Sequence, residues 1–85
     1  MENMYNLNIE RAVLSAIIFD PEIYEEIASK LNPHDFYLPF HQHVFLAMEE
    51  LSREEKPIDE EFIKSKLQTM GKFDEVAMLD LLSAN

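Results

Sequence analysis

Cysteine is absent from this chain, and glycine occurs once, at Gly71. Without cysteine there is neither a disulfide framework nor a thiolate metal site, which is compatible with a reducing cytoplasm. A single glycine satisfies neither G-x-x-x-x-G-K nor G-x-G-x-x-G, so nucleotide binding through a glycine-rich loop is excluded. Basic residues are also scarce: seven Lys and Arg face 17 Asp and Glu, giving a formal charge of −10. Such a surface repels phosphate backbones, so direct nucleic-acid binding is not expected. A solvated acidic face and a basic protein partner both fit that charge. The longest apolar run, AIIF, falls far short of the roughly 20 residues that span a bilayer, and no signal-peptide pattern opens the chain.

What the chain does have is apolar residues, 47% of its 85, enough for one core but not for two. They recur at spacings of three and four, without the alternation of strands. The expectation is an all-α single domain over residues 1–85: a compact bundle of about five helices plus a short helical turn.

The first helix is expected over residues 8–19, with Asn8 as N-cap. Ile9, Ala12, Val13, Ala16 and Ile17 form one apolar face, and Leu7, Leu14 and Ile18 form another opposite it. A helix apolar nearly all round is either central or covered by a partner. The second stripe, Leu7, Leu14 and Ile18 rimmed by Glu10 and Arg11, is therefore a candidate partner interface. A second helix opens with Asp20 as N-cap and Pro21 behind it, and turns Ile23, Ile27 and Leu31 inward. Asn32 then caps a turn with Asp35 at its N3 position. A third helix starts at Pro39 and runs to Arg53, with Phe40, Val44, Phe45, Met48 and Leu51 as its apolar face. Pro57 keeps Lys56 out of a helix. Asp59 caps a fourth helix burying Phe62, Ile63, Leu67 and Met70, which Gly71 ends. Asp74 caps a fifth carrying Val76, Leu79 and Leu82.

The three histidines crowd into "NPHDFYLPFHQHVF", but they do not make a metal site. His41 and His43 lie about 200° apart around a helix, and the i,i+4 pairing that would set two imidazoles on one face is missing. His41 instead shares a face with Val44, Phe45 and Met48, as a core-edge residue bonded to backbone; His43 is expected in solvent and His34 in the turn. No base adjoins Ser15, Ser29, Ser52 or Ser65 in a pattern that activates a nucleophile. The carboxylate pairs Glu49–Glu50 and Glu60–Glu61 fall on solvent faces, within an acidic belt from Glu49 to Glu61 that offers a second surface for a basic partner. A small histidine-dependent metalloprotein is the reading from another class, and the spacing does not support it. No catalytic, cofactor-binding or metal-binding residue is assigned.

Three segments, "NIERAVLSAIIFDPEIYEEI", "NPHDFYLPFHQHVFLAMEEL" and "KPIDEEFIKSKLQTMGKFDEV", occur in order over nearly the whole chain. Together they resemble the N-terminal domain of the bacterial replicative DNA helicase, the DnaB type. The signature residues are Asp35, Phe36, Tyr37, His41, Phe45, Met48, Pro57 and Asp59, with Gly71 after them. Two departures stand out: Ser15 where glycine is frequent, and "FDEVAML" where a glycine pair often precedes the last helix. The resemblance implies a non-catalytic head domain in the collar of a hexameric helicase, paired with other helicase subunits and docking primase, with a helicase loader as a further partner. It also implies that ATP and magnesium belong to a separate motor domain, absent here, and that the head is followed by a helical hairpin. The alternative within replication is the helicase-binding domain of a primase, which is similar in fold.

Overall fold

Residues 6–84 are described by the structure, a computed structural model, and they form five α-helices with no strand among them. These are α1 (Leu7–Phe19), α2 (Tyr24–Ala28), α3 (Pro39–Arg53), α4 (Glu60–Met70) and α5 (Glu75–Leu82). Two 3₁₀ turns, Pro21–Ile23 and Pro33–Asp35, lead into α2 and α3. The chain is all-α, as its spacing predicts.

The scaffold is built around α3. Leu38 is extended, as the residue before a proline must be, and Pro39 occupies the first turn, where its missing N–H costs nothing. Phe40, His41, Val44, Phe45, Ala47, Met48 and Leu51 are then buried at spacings of three and four. Onto this face pack α4, the Pro33–Asp35 turn and α1, while α1 also meets α5 and the Pro21–Ile23 turn. Tyr24 enters the core from α2 against the Phe45 ring. Burial first, and then the nearby carboxylates of Glu49 and Glu25, raise the Tyr24 phenol above its ordinary pKa.

Caps set the helix ends, and one differs from the sequence reading. Asn6, not Asn8, caps α1: its Oδ1 accepts from the N–H groups of Asn8 and Ile9 at 3.0 and 3.2 Å. Asn8, two residues too far in, accepts from the Arg11 guanidinium through its Oδ1 instead. Asp20 makes no side-chain cap and joins the two elements through its backbone alone: its N–H closes α1 on Ala16 and its carbonyl accepts the Ile23 N–H. Asp35 does act at N3, accepting the Asn32 N–H at 2.8 Å. Asp59 and Asp74 cap α4 and α5 through the N–H groups of Phe62 and Ala77.

The ends of α3 and α4 share a device. Gly71 turns left-handed with φ 71°, and the next N–H, from Lys72, returns to the Leu67 carbonyl at 2.8 Å. Glu55 does the same after α3 with φ 59°, sending the Lys56 N–H to Leu51 at 2.9 Å. A residue with a Cβ pays about 1 kcal/mol for that backbone, whereas glycine does not. Glu55→Gly is therefore expected to raise stability by about 0.5–1 kcal/mol, read as a higher urea midpoint. No gain, or a loss, would show that the Glu55 side chain outweighs its backbone strain.

Three helix faces differ from the expectation. On α1 the buried side is Glu10, Leu14, Ser15, Ile17 and Ile18, leaving Ile9, Ala12 and Ala16 exposed. On α4, Ile63 and Leu67 are buried and Met70 is partly so, but Phe62 is 40% exposed. On α5, Met78 and Leu81 face inward, while Val76 is 77% and Leu79 59% exposed. Both α1 and α5 carry more apolar residues than one stripe needs, so periodicity alone does not choose the buried side.

Candidate functional site

The most organised polar arrangement joins α1 to the start of α3. Glu10, one turn into α1, is carried inward by the same face that buries Leu14 and Ile17. His41, in the first turn of α3, is 1% exposed and sets Nδ1 2.8 Å from Glu10 Oε1. The other carboxylate oxygen accepts the Tyr37 N–H at 2.6 Å, and Oε1 also receives the Leu38 N–H at 3.5 Å. Gln42 closes the same segment from the other side, its Nε2 donating to the Phe36 carbonyl at 2.7 Å. The backbone that must stay extended ahead of Pro39 thus has its donors taken by one carboxylate. His41 is engaged, but its partner is a carboxylate rather than the backbone group expected.

This arrangement suits structure rather than chemistry. No buried side-chain nitrogen or oxygen among the described residues lacks a partner, and the His41 ring is shut away from solvent. His34 sits exposed in the Pro33–Asp35 turn and His43 is half-buried, not solvent-exposed as expected. No group of three or more His, Asp or Glu among the described residues is placed to hold a metal ion.

The stripe Leu7, Glu10, Arg11, Leu14 and Ile18 is not a surface of this domain. Leu14 and Ile18 lie in the core and Glu10 is buried with His41; only Leu7 and Arg11 are partly accessible. The cause is Glu10 itself. A carboxylate normally marks the wet side of a helix, yet here ready-made donors let it go inside. Arg11 reaches Asp80 of α5 at 3.3 Å, tying the two helices at the edge.

The signature residues each hold a structural position. Asp35 closes its turn, Phe36 packs at a tilt against Phe45 with ring centres 5.2 Å apart, and Met48 is fully buried. Tyr37 gives its N–H to Glu10 while its ring is largely exposed, Pro57 lies exposed in the connection, and Asp59 caps α4.

The acidic belt is partly neutralised. Lys66 of α4 reaches Glu54 at 2.9 Å and Glu50 at 3.7 Å, and Lys56 reaches Glu54 at 3.4 Å. The hydrogen bond from Lys66 holds Glu54 below the usual carboxylate range, and the same bond raises Lys66. What the sequence reading did not place is the apolar surface left open by Ile9, Phe19, Val76 and Leu79. Its signal was available in the apolar surplus of α1 and α5. No helix among the described residues is long and apolar enough to cross a membrane.

Comparison with known proteins gives consistent results. The family model for the DnaB-like helicase N terminal domain matches residues 2–85. The replicative DNA helicase DnaB of Helicobacter pylori strain 26695 is 37% identical over 78 residues, covering 92% of this chain and 16% of that protein. The Geobacillus stearothermophilus DnaB is 30% identical over the same length, covering 92% of this chain and 17% of that protein. The chain thus spans about a sixth of the length of these relatives. Among solved structures, the N-terminal domain of DnaB helicase from Mycobacterium tuberculosis shares the fold, with a TM-score of 0.87 at 24% identity over 99% of this chain and 61% of that one. A structure from Helicobacter pylori, of the N-terminal domain of DnaB helicase and its interactions with primase, gives a TM-score of 0.83 at 37% identity, over 92% of this chain and 63% of that one. With the family model matching residues 2–85 and the Helicobacter pylori relative 37% identical over 92% of the chain, this chain belongs to the DnaB-like helicase N-terminal domain family.

Proposed function

We propose that this chain is the non-catalytic assembly and protein-interaction domain of a replicative DNA helicase. In this reading it contributes to an N-terminal collar of the hexamer and docks primase, with a helicase loader as a further partner, in the cytoplasm. The observation that carries the reading is the family match over residues 2–85. It is supported by a site whose polar groups are spent on one another, by the absence of a phosphate-cradling loop, and by apolar side chains left at the surface. ATP hydrolysis and unwinding belong, in this reading, to a motor domain outside these 85 residues.

The test is a calorimetric titration of the chain with the C-terminal domain of the primase from the same organism, alongside ATPase and unwinding assays. Binding is expected to be weak, about micromolar or weaker, since the relatives' solved domains run beyond the part matched here. ATP turnover or unwinding by the 85 residues would overturn the non-catalytic reading. Complete absence of primase binding, including when the chain is joined to the remainder of its helicase, would overturn the docking role.

A further inference from the structure

Between α4 and α5 runs an open groove of about 300 Å³, with Phe73, Met78, Leu79 and Leu82 as its apolar lining. Met78 is buried and forms part of the core, whereas Leu79 is 59% exposed, and Val76 one turn earlier continues the apolar surface at 77%. Scattered apolar residues on a surface need no explanation, but a groove that adjoins two large exposed ones is a contiguous patch. Its volume is at the lower end of the roughly 300–1,000 Å³ of ligand pockets, and its openness suits side chains projecting from a helix better than an enclosed small molecule.

Acidic groups outnumber the one base that lines it. Lys64 and Glu75 line the groove, and the Lys64 ammonium is bound to Glu60 at 2.8 Å. That hydrogen bond raises Lys64 above its ordinary value despite opposing desolvation, with the charges of Glu60, Glu61 and Glu75 adding to it. Three carboxylates thus surround one ammonium that is already paired. We propose that this groove docks a basic amphipathic helix of a partner protein, with apolar anchors on Phe73, Leu79 and Leu82 and Lys or Arg beside Glu60, Glu61 and Glu75. A second copy of this chain fits less well: each carries a formal charge of −10, and a two-fold contact would set the same carboxylates against themselves. This occupant is set by the groove's own chemistry and does not depend on the helicase reading.

The probe is a model helix of leucine and lysine patterned at the helical period, titrated into the isotope-labelled chain and followed by amide chemical shifts. A leucine–glutamate peptide of the same pattern is the control. The lysine peptide is expected to saturate, to shift amides centred on α5 and α4, and to weaken as salt is raised. Leu79→Gln is expected to weaken it about tenfold, as is the double substitution Glu61→Gln with Glu75→Gln, which leaves the core untouched. Equal binding of the glutamate peptide, shifts centred on the Glu49–Glu55 segment, unaltered affinity in both variants, or no binding would each overturn the proposal. So would a dimer of the chain alone, seen by sedimentation and abolished by Leu79→Gln, which would assign the groove to a second copy.

Discussion

Glu10→Ala is expected to destabilise the domain by about 3–5 kcal/mol, because it removes one acceptor from three donors at once. His41 Nδ1 loses its partner at 2.8 Å inside the core, and the Tyr37 N–H loses one at 2.6 Å. Leu38 loses only a long contact at 3.5 Å and adds little. A water entering the vacated space has two lone pairs for three donors and no charge, so it replaces the carboxylate only in part. An 85-residue domain has in all about 4–13 kcal/mol of stability, so the loss is a large share of it.

The pair is separated from its parts by a double-mutant cycle with His41→Ala, using urea unfolding followed by far-ultraviolet circular dichroism. His41→Ala leaves the carboxylate with its backbone donors, so it is expected to cost less than Glu10→Ala. The two losses should fall short of additive by about 1–3 kcal/mol in the double variant. Glu10→Gln keeps an oxygen for the Tyr37 N–H but sets an amide toward the imidazole, and is expected to fall between wild type and alanine. A Glu10→Ala loss under about 1 kcal/mol, or strict additivity, would show that the contact contributes no more than an exposed ion pair.

The same residue explains where the sequence was legible and where it was not. The ends and inner face of α3 could be read directly, because Pro39 sets the start and only one side of "PFHQHVFLAMEELSR" is apolar. Asp59, Gly71 and Asp74 were legible for an equally local reason: each cap depends on a side chain or backbone freedom that its own residue supplies. The inward face of α1 was not legible. "LNIERAVLSAIIF" offers two apolar sides, and the buried one contains the helix's only carboxylate. What decides between them is His41 and two N–H groups some thirty residues away, information that no local pattern contains. The face of α5 failed likewise, since "EVAMLDLL" is apolar on most sides. The family resemblance was legible because it rests on the order of caps, prolines and aromatics along the chain. Which surface is open depends on three-dimensional packing, and that is where the α4–α5 groove emerged.

Phe45→Ala is the second large effect, expected at about 3–5 kcal/mol. Phe45 is fully buried on α3, and its ring meets Tyr24 of α2 at 5.9 Å and Phe36, after the Pro33–Asp35 turn, at 5.2 Å. Both contacts are tilted, at 43° and 39°, and such pairs add about 0.5–1.5 kcal/mol beyond simple burial. Truncation therefore opens a cavity where three chain segments converge, and neither Tyr24 nor Phe36 can close it without leaving its own backbone position. In a domain of this size, 1 kcal/mol moves the melting temperature by about 4–8 °C, so a fall of roughly 12–40 °C is expected. Phe45→Leu, which keeps most of the volume, should lose less than half as much. Phe62→Ala is the comparison from the surface: its ring is 40% exposed, and about 1 kcal/mol or less is expected. The near-ultraviolet signal of Tyr24 supplies an independent readout, since Phe45→Ala removes the ring that fixes it whereas Phe62→Ala does not. Equal melting temperatures for the two alanine variants would mean that the core is not organised around Phe45.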